Sequence, residues 1–411
     1  MEEIVAPMTK KRILLVTQYF YPENFKSNDI AFELAKRGYE VDALVSIPNY
    51  PEGKFYTGYG CFKRRIETVN GVNVYRALQI PRGKGGLRLM LTYISYLVTS
   101  VFWILFYFAW KKRYEAIIVH QTSPIFQAIP AIILKKLRRT PVYTWVLDIW
   151  PDAMKSGGGI KNKRLLSIVD KVVIWVYKNS DKILISSRRF ADLILPKGDF
   201  AEKLVYSPNW SDDVMQMPSA NTVLPNLPEG FKIMIAGNLG TAQSLDCVAQ
   251  AMSLLKDEEV NWVFVGDGSR KEWLESFIKD NGLQNKAVCV GRYPASYMLD
   301  FYKQASAMLV TLRGGFPHLE AVVPARLQSY MSSGRPVLAM IGQGGADIIA
   351  EADCGYSVPA EDAEAFAKLI RDVVLPNKED FEKKGAKGRE YFLQHFTKEH
   401  CIDNLCEIIN R

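Results

Sequence analysis

The chain has 411 residues, of which 48% are hydrophobic, so it is long enough to form two domains with separate cores. Its six cysteines show no Cys-x-x-Cys spacing and its four histidines form no ligand cluster, which argues against a disulfide framework and against a metal centre. The net charge of +8 is uneven, because residues 1–205 carry 32 Lys and Arg against 17 Asp and Glu, whereas the remainder carries 20 against 27. Only the first half is therefore expected to face an anionic partner.

The first half of the chain alternates short apolar runs with segments of helical spacing. Helical spacing occupies residues 28–37, which Gly38 terminates, and residues 163–178. Alternating strands and helices predict a parallel sheet with right-handed crossovers. The predicted strands lie at residues 12–17, 40–46, 72–76, 116–119, 142–147, 182–186 and 204–207.

Residues 89–110 form an uncharged block of 22 residues inside this series. As a helix the block is about 33 Å long, enough to cross a bilayer, yet a single crossing would divide the predicted sheet. Both flanks are basic, so both ends are expected on the cytoplasmic side, and an anionic membrane is favoured over nucleic acid. The flanking residues are Arg82, Lys84, Arg88, Lys111, Lys112 and Arg113.

We therefore predict that this block lies on the membrane or dips into it; a buried core helix is the alternative. The aromatic residues near its end favour the membrane interface, where such side chains concentrate. The predicted membrane contacts are Phe102, Trp103, Phe106, Tyr107 and Trp110.

Residues 208–230 are rich in Pro, Asn and Ser and are predicted to form a linker. A second series of strands follows, with helices between them and a last helix at residues 400–410 after the sheet is complete. These strands are predicted at residues 232–236, 260–265, 287–290, 308–311, 337–340 and 355–358. Two such sheets predict two Rossmann-like domains with a cleft between them, and ligands of such sheets bind beyond the carboxyl ends of the strands.

Loops of the first half offer candidate acceptor-side residues. The loop after the first strand lacks a Gly-x-Gly-x-x-Gly pattern and instead presents Tyr19, Glu23 and Asn24, which suit sugar or lipid-headgroup recognition; a Pro-bearing turn with a solvated Glu23 is the alternative. Asp148 ends a strand and can accept protons or bind hydroxyls, or else cap the following turn. His120 also ends a strand and is either functional or structural.

Loops of the second half offer candidate phosphate-binding residues. Glycines after two strands allow close backbone approach, and a helix from about residue 245 directs its N-terminal amides to the same place. Pro324 is placed at the first position of a helix whose Arg326 adds a full positive charge for a diphosphate. Gln328 can bind a ribose diol, and Glu320 can bind sugar hydroxyls. The glycine-loop candidates are Gly237, Asn238, Leu239, Gly240, Gln243, Gly266 and Gly268.

Taken together, these motifs resemble glycosyltransferase family 4, within it the subgroup of L-fucosamine, colanic-acid, O-antigen and capsule glycosyltransferases. The resemblance covers nearly the whole chain and is most specific at residues 324–330 and 334–336. The other matching segments are residues 19–23, 123–124, 148–151, 237–240 and 266–268.

The resemblance implies a GT-B fold of class α/β, with two Rossmann-like domains whose parallel sheets face a cleft. It implies an acceptor-binding, membrane-docking domain over residues 1–207, a linker over 208–230, a nucleotide-sugar-binding domain over 231–395 and a helix over 396–411 that returns to the N-terminal domain. It also implies a retaining reaction that needs neither a metal nor a cofactor.

Two departures from the family pattern concern the donor site. The family's Glu-x7-Glu is Glu320-x7-Gln328 here, and the basic pair that often follows the glycine-rich strand is replaced by Asn238 and Gln243. Arg326, Arg313 and backbone amides would have to compensate at the diphosphate. The uracil site of the family falls at Arg292 and Tyr293, which match in position only.

The expected activity is transfer of a sugar, plausibly an N-acetylated deoxyhexosamine, from UDP to a polyprenyl-diphosphate-linked saccharide in bacterial surface polysaccharide assembly. The expected catalytic residues are Glu320, Arg326, Asp148 and His120, and the expected location is the cytoplasmic face of the inner membrane. A UDP-sugar 2-epimerase of the same fold would leave the apolar block unexplained. A non-catalytic membrane scaffold is the second alternative, against which Glu320 and Arg326 argue.

Overall fold

The computed structural model describes residues 10–83, 85–111, 113–158, 162–218 and 224–410. The flanking residues Lys84 and Lys112 lie outside these ranges. The chain divides into two compact units. The first unit runs to Ser186, resumes at residues 191–207 and includes the end of the chain from Ile402. The second unit comprises residues 187–190 and 208–401.

A predominantly parallel sheet forms the centre of the first unit. The described strands are β1 (Arg12–Val16), β2 (Glu40–Ser46), β3 (Ile66–Val69), β4 (Val72–Ala77), β5 (Ala116–Gln121), β6 (Val142–Val146), β7 (Lys182–Ile185) and β8 (Leu204–Tyr206). Their order is β3-β4-β2-β1-β5-β6-β7-β8, and only β3 is antiparallel to its neighbour. The central strands β1 and β5 are buried along almost their whole length, because helices cover both faces of such a sheet.

Helices connect the strands of the first unit. Those described are α1 (Lys26–Lys36), α2 (Gly86–Phe106), α3 (Ala128–Arg138), α4 (Asp152–Gly158), α5 (Lys163–Asn179) and α6 (Ala191–Ile194). The apolar block is α2 followed by a short turn of 3-10 helix at Phe108–Trp110. Helix α2 connects β4 to β5 and packs against β2, β4 and α3. The two strands that α2 connects therefore belong to the same sheet.

The second unit has a six-stranded parallel sheet at its centre. Its described strands are β9 (Phe231–Ala236), β10 (Val260–Val265), β11 (Ala287–Gly291), β12 (Ala307–Thr311), β13 (Val337–Met340) and β14 (Gly355–Val358). The order β11-β10-β9-β12-β13-β14 reverses direction between β9 and β12. The loops after these two strands therefore flank the point where open α/β sheets bind ligands.

Helices of the second unit alternate with its strands. Those described are α7 (Leu245–Leu254), α8 (Lys271–Asp280), α9 (Met298–Gln304), α10 (Pro317–Ala321), α11 (Ala325–Ser332), α12 (Gln343–Glu351), α13 (Ala363–Leu369) and α14 (Lys378–His395). The last helix, α15 (Lys398–Asn410), belongs from Ile402 onward to the first unit. There Arg37 pairs with Asp403 at 2.8 Å and the Lys11 ammonium donates to Asn410 at 2.7 Å. The predicted return of the last helix is confirmed.

The predicted strands are present within one or two residues of their expected bounds, and β3 is the strand that was not predicted. The predicted linker does not form a separate element in its described part. Asp213 pairs with Arg389 at 2.5 Å, and the Ser211 amide donates to the Phe396 carbonyl at 3.2 Å. The segment after Ser207 is thus folded onto the second unit.

Candidate functional site

Loops at the carboxyl edge of the second sheet are joined by backbone hydrogen bonds. The Gly237 amide after β9 donates to the Val265 carbonyl at 2.8 Å, and the Gly266 amide after β10 donates to the Gly291 carbonyl at 2.7 Å. These bonds join the carboxyl ends of β9, β10 and β11. Because they are backbone bonds, they fix the position of the glycine loop independently of side chains.

Glycine is required at this edge because two backbones approach closely. Gly237 and Gly266 have φ angles of +123° and +148°, and a β-carbon on Gly266 would lie 1.9 Å from the Gly237 carbonyl oxygen. A β-carbon on Gly268 would lie 2.5 Å from the Leu239 carbonyl oxygen. Leu239 is fully buried, and its backbone amide and carbonyl bind Asp267 and Arg270, so it supports the loop and does not face a ligand.

Arg326 reaches this glycine loop from the first turn of α11. Its Nη2 donates to the Asn238 carbonyl at 2.8 Å, and a β-carbon on Gly237 would lie 3.4 Å from the same nitrogen. Its Nη1 is buried and has no hydrogen-bond partner among the described residues. A donor nitrogen is thus left over beside the glycine loop, and an unpartnered guanidinium nitrogen is suited to a phosphate oxygen. Pro324 was predicted to be the first residue of this helix, but the structure shows that it is the N-cap of α11.

Glu320 lines a separate hollow of the second unit. Its carboxylate, carried by the short helix α10, borders a cavity of about 350 Å³ together with Gly314, Gly315, Gly342 and Glu361. A β-carbon on Gly342 would lie 2.1 Å from Glu320 Oε2, so the glycine makes room for the carboxylate. Arg326 does not line this cavity.

A carboxylate occupies the start of α7, where the sequence predicted a phosphate. Ser244 Oγ donates to Glu361 Oε1 at 2.6 Å, and Glu361 also borders a smaller cavity of about 180 Å³ with Arg313. A negative side chain at a helix N-terminus opposes a second anion at the same place. The predicted diphosphate site is therefore better supported at Arg326 than at the start of α7. Arg313 lines the same cavity as Glu361.

Gln328 is placed differently from its prediction. Its side chain is 1% exposed, and its Nε2 donates to the Asn209 carbonyl at 2.7 Å, so its amide binds the segment after Ser207. Residues three apart share one side of a helix, so Ser329, and not Gln328, is the half-buried neighbour of Arg326 on α11. Helical periodicity is the signal that could have identified Ser329.

The remaining donor-side candidates are placed around the glycine loop. Gln243 closes that loop internally, because its Oε1 accepts from the Gly240 amide at 3.1 Å. Arg292 is exposed directly after β11, and the Tyr293 ring packs against Phe301 at 4.8 Å. No group of three His, Cys, Asp or Glu side chains with metal-ligand spacing occurs among the described residues.

Asp148 is the strongest candidate in the first unit. It follows β6 at the carboxyl edge of the sheet and is partly buried. Burial raises its pKa to about 7, although hydrogen bonds from Ser123, the Ile149 amide and Trp150 act in the opposite direction. A carboxyl group that titrates near neutrality at a strand end is suited to accept a proton or to orient a hydroxyl.

His120 does not fit the catalytic role predicted for it. The side chain is almost fully buried with its ring edge-on to Trp145 at 5.9 Å, and burial lowers its pKa to about 3. The imidazole is therefore neutral at physiological pH. Its backbone carbonyl accepts a hydrogen bond from Thr17 Oγ1 at 3.3 Å, which ties β5 to β1.

Glu23 supports a neighbouring turn and is not solvated. It is 1% exposed, and its Oε1 accepts from the Asn49 and Tyr50 amides at 2.7 and 2.6 Å. Burial raises its pKa to about 7. Tyr19 is also buried, with its hydroxyl accepting from Arg82 at 2.9 Å, whereas Asn24 is exposed. Of the three acceptor-side candidates in this loop, only Asn24 has an open side chain.

Two family models match the chain and together cover most of it. "Glycosyl transferase 4-like domain" matches residues 27–210, and "Glycosyl transferases group 1" matches residues 223–390. The chain belongs to the family 4 glycosyltransferases of the GT-B fold.

One similar protein is WcaI of Escherichia coli strain K12, which is named as a colanic acid biosynthesis glycosyl transferase. The two sequences are 26% identical over 396 residues, which covers 90% of this chain and 91% of WcaI. Sucrose-phosphate synthase from Thermosynechococcus elongatus superposes with a TM-score of 0.72 at 16% identity, covering 98% of each chain. HepE of Anabaena in complex with UDP and glucose gives 0.65 at 14% identity, covering 97% of this chain and 99% of that one.

Helix α2 of this glycosyltransferase presents its apolar side outward. The inward stripe consists of Thr92, Tyr96, Ser100 and Ile104, and the Tyr96 hydroxyl donates to the Thr17 carbonyl at 3.0 Å. The outward stripe consists of Met90, Ile94, Val98, Phe102 and Phe106, all of them exposed. Soluble proteins place their polar stripe outward, so this helix has the reverse polarity. Among the described residues, one segment, Gly86–Trp110, is sufficiently long and apolar to cross a bilayer.

Only some of the predicted membrane aromatics lie on this outward side. Phe102, Phe106 and Trp110 are exposed, the last at 81%. Trp103 and Tyr107 turn inward because their polar atoms bind β4: the Trp103 indole donates to the Arg76 carbonyl at 3.3 Å, and the Tyr107 hydroxyl lies 3.3 Å from that of Tyr75.

The sequence analysis missed an exposed apolar residue outside α2. Phe62 is 98% exposed in the loop before β3 and is followed by the basic residues Lys63, Arg64 and Arg65. Arg65 donates to the same Arg76 carbonyl at 2.6 Å, so this loop is anchored beside α2. One aromatic residue next to three basic residues was the available signal.

Proposed function

We propose that this glycosyltransferase moves a sugar from a UDP-sugar to a polyprenyl-diphosphate-linked saccharide, with retention of configuration, in surface polysaccharide assembly. The observation that carries the donor half is the pairing of Arg326 with the Gly237 loop, which leaves one guanidinium nitrogen without a partner among the described residues. The names of WcaI and of the UDP complex of HepE support the same choice of pathway and nucleotide.

The proposed chemistry uses residues of each unit for one partner of the reaction. The bond between the sugar C1 and the diphosphate oxygen breaks, and Arg326 stabilises the charge that develops on the diphosphate. The acceptor oxygen bonds to C1 on the same face, and its proton passes to the departing diphosphate. Glu320 would orient the donor sugar, and Asp148 would orient the acceptor hydroxyl.

The donor proposal is tested by nucleotide-dependent thermal stabilisation. We expect UDP, but not GDP or ADP, to raise the melting temperature, because a ligand at about 100 times its Kd stabilises by about 2.7 kcal/mol. UDP-N-acetylhexosamines are then screened for UDP release with and without a lipid-linked acceptor. Stabilisation by GDP alone would contradict the proposed nucleotide, and an epimerised donor formed without acceptor would favour the 2-epimerase.

We further propose that the enzyme lies on the cytoplasmic face of the inner membrane through the outward side of α2. Basic residues border both ends of the helix, and this supports an orientation in which both ends lie at the level of anionic headgroups and the helix lies in the plane of the bilayer. Arg88 lies in its first turn, and Arg113 and Arg139 lie beyond its end, where the Arg113 guanidinium donates to the Arg139 carbonyl at 2.9 Å.

Replacing Phe106 by Glu is expected to weaken co-sedimentation with phosphatidylglycerol vesicles roughly tenfold or more, because an apolar side chain buried in the bilayer is exchanged for a charge. Phe62→Glu should act in the same direction if its loop also inserts. Leu393→Glu is the matched control, since Leu393 is an exposed apolar residue of the second unit. Equal sedimentation of the wild type and Phe106→Glu would contradict the membrane proposal.

A further inference from the structure

Arg82 forms an unusual cationic site beside the start of α2. Its Nη1 donates to the Tyr19 hydroxyl at 2.9 Å, and its guanidinium lies 5.4 Å from the centre of the Tyr50 ring. Its other electrostatic neighbour is Tyr93 of α2. No carboxylate among the described residues forms an ion pair with Arg82. A half-buried guanidinium surrounded by neutral hydroxyls therefore has no anion to balance it.

The backbone around Arg82 is held firmly. Its amide donates to Asn49 Oδ1 at 2.8 Å, and the turn that contains Asn49 is fixed by the buried Glu23. A β-carbon on Gly53 would lie 1.9 Å from the Arg82 carbonyl oxygen, so the two segments are in close contact. Two residues earlier, the Ile80 amide donates to Ser95 Oγ of α2 at 2.9 Å. The guanidinium is thus positioned by the fold and is not a free surface side chain.

The place of this site in the first unit connects the apolar helix with Asp148. The segment follows β4, so it lies at the carboxyl edge of the sheet, where Asp148 also lies. Tyr93 interacts electrostatically with both Arg82 and Asp148. On the same turn of α2, Ile94 faces outward as part of the exposed apolar stripe. Tyr93 therefore links Arg82 and Asp148 to the helix that carries the exposed apolar stripe.

We propose that Arg82, together with the hydroxyl of Tyr93, binds the diphosphate of a lipid-linked acceptor at the point where α2 meets the carboxyl edge of the first sheet. The buried Tyr19 hydroxyl positions the guanidinium and does not itself contact the ligand. This inference rests on the proposed function and adds to it the residues that recognise the lipid-linked anion. The chemistry agrees, because a guanidinium forks two hydrogen bonds to phosphate oxygens and a tyrosine hydroxyl can donate to a further one.

The test is a calorimetric titration with farnesyl diphosphate in the presence of saturating UDP, so that the donor site is occupied. We expect wild type to bind farnesyl diphosphate more tightly than farnesyl monophosphate or inorganic diphosphate. Arg82→Gln should weaken that binding about 10- to 100-fold, the usual effect of losing hydrogen bonds to a charged group. Arg82→Lys should restore part of the affinity. The matched control is Arg164→Gln, which removes the same charge from an exposed position in the first turn of α5 of the first unit and should change little.

Several results would overturn the proposal. Equal affinity of wild type and Arg82→Gln is one, and an equal loss in Arg164→Gln is another, since it would indicate non-specific charge attraction. If Arg82→Gln lost binding to phosphatidylglycerol vesicles and kept farnesyl diphosphate, the anion would be a phospholipid headgroup. Should Arg82→Gln fail to fold, Tyr93→Phe serves in its place, with a loss of severalfold expected. Failure of UDP to bind wild type would instead contradict the proposed function, so the two failures are distinguishable.

Discussion

Replacing Arg326 by Ala is expected to lower kcat/KM by roughly 30- to 1000-fold, which corresponds to about 2–4 kcal/mol of lost transition-state stabilisation. The glycine loop should survive the substitution, because the Gly237 amide keeps its bond to the Val265 carbonyl and the Leu239 amide keeps its bond to the Asp267 carbonyl. What is removed is the guanidinium whose Nη1 has no partner in the part of the chain that the structure describes. The kinetic loss is therefore assigned to the diphosphate.

Affinity measurements separate this role from a structural one. Arg326→Ala should weaken UDP binding while leaving uridine binding unchanged, since uridine has no phosphate for Arg326 to contact. Arg371→Ala is the matched control, because Arg371 pairs with Glu258 at 2.8 Å on the surface of the same unit. Near-normal turnover in Arg326→Ala, or an equal loss of uridine affinity, would remove Arg326 from the diphosphate site.

The fold was predictable because the pattern of apolar runs is strong in this chain. Strands such as β1 and β5 are buried on both faces, so their sequences are uninterrupted apolar runs that cannot be confused with loops. Strand β3 was missed because it lies at the edge of the sheet and is only partly buried, and its sequence carries no such run. Tertiary pairing with β4, and not local propensity, makes it a strand.

The site was predictable in its backbone and less so in its side chains. Glycines after β9 and β10 and the charge of Arg326 were visible in the sequence, because they reflect local conformation and residue type. Burial is set by distant parts of the chain, so His120 could not be distinguished from an active-site histidine until Trp145 was placed beside it. Glu361 was missed for the same reason, since it meets Ser244 across 117 residues of sequence.

The polarity of α2 shows where composition alone was sufficient and where it was not. An uncharged block predicted an apolar helix, but the direction of each aromatic depends on the hydrogen bonds that its polar atom makes. Trp103 faces β4 because its indole nitrogen finds the Arg76 carbonyl, whereas Phe102 and Phe106 have no polar atom to satisfy and remain outward. A sequence count of aromatics cannot make that distinction.

Asp148→Asn is expected to lower kcat by roughly 100- to 10,000-fold, the range for losing a group that transfers or directs a proton, with UDP affinity unchanged. Orienting the acceptor hydroxyl, as proposed, requires the ionised carboxylate as a strong hydrogen-bond acceptor. Because burial raises the pKa of Asp148 to about 7, wild-type activity should fall as pH drops below about 7. This acidic limb should be absent from the residual activity of the variant. Asp170→Asn is the control, since Asp170 pairs with Lys197 at 2.5 Å elsewhere in the first unit.

Asp148→Asn is expected to lower activity without lowering the stability of the folded protein at pH 8. A carboxyl group whose pKa is raised by folding favours the native state below its unfolded pKa of about 3.8, and this contribution is lost as pH rises through about 7. At pH 8 the wild type therefore holds an ionised carboxylate in a partly buried place. Asparagine carries no charge there, so Asp148→Asn should be at least as resistant to urea at pH 8 as wild type. A variant that is both less active and less stable at pH 8 would mean that Asp148 maintains the fold and does not act on the substrate.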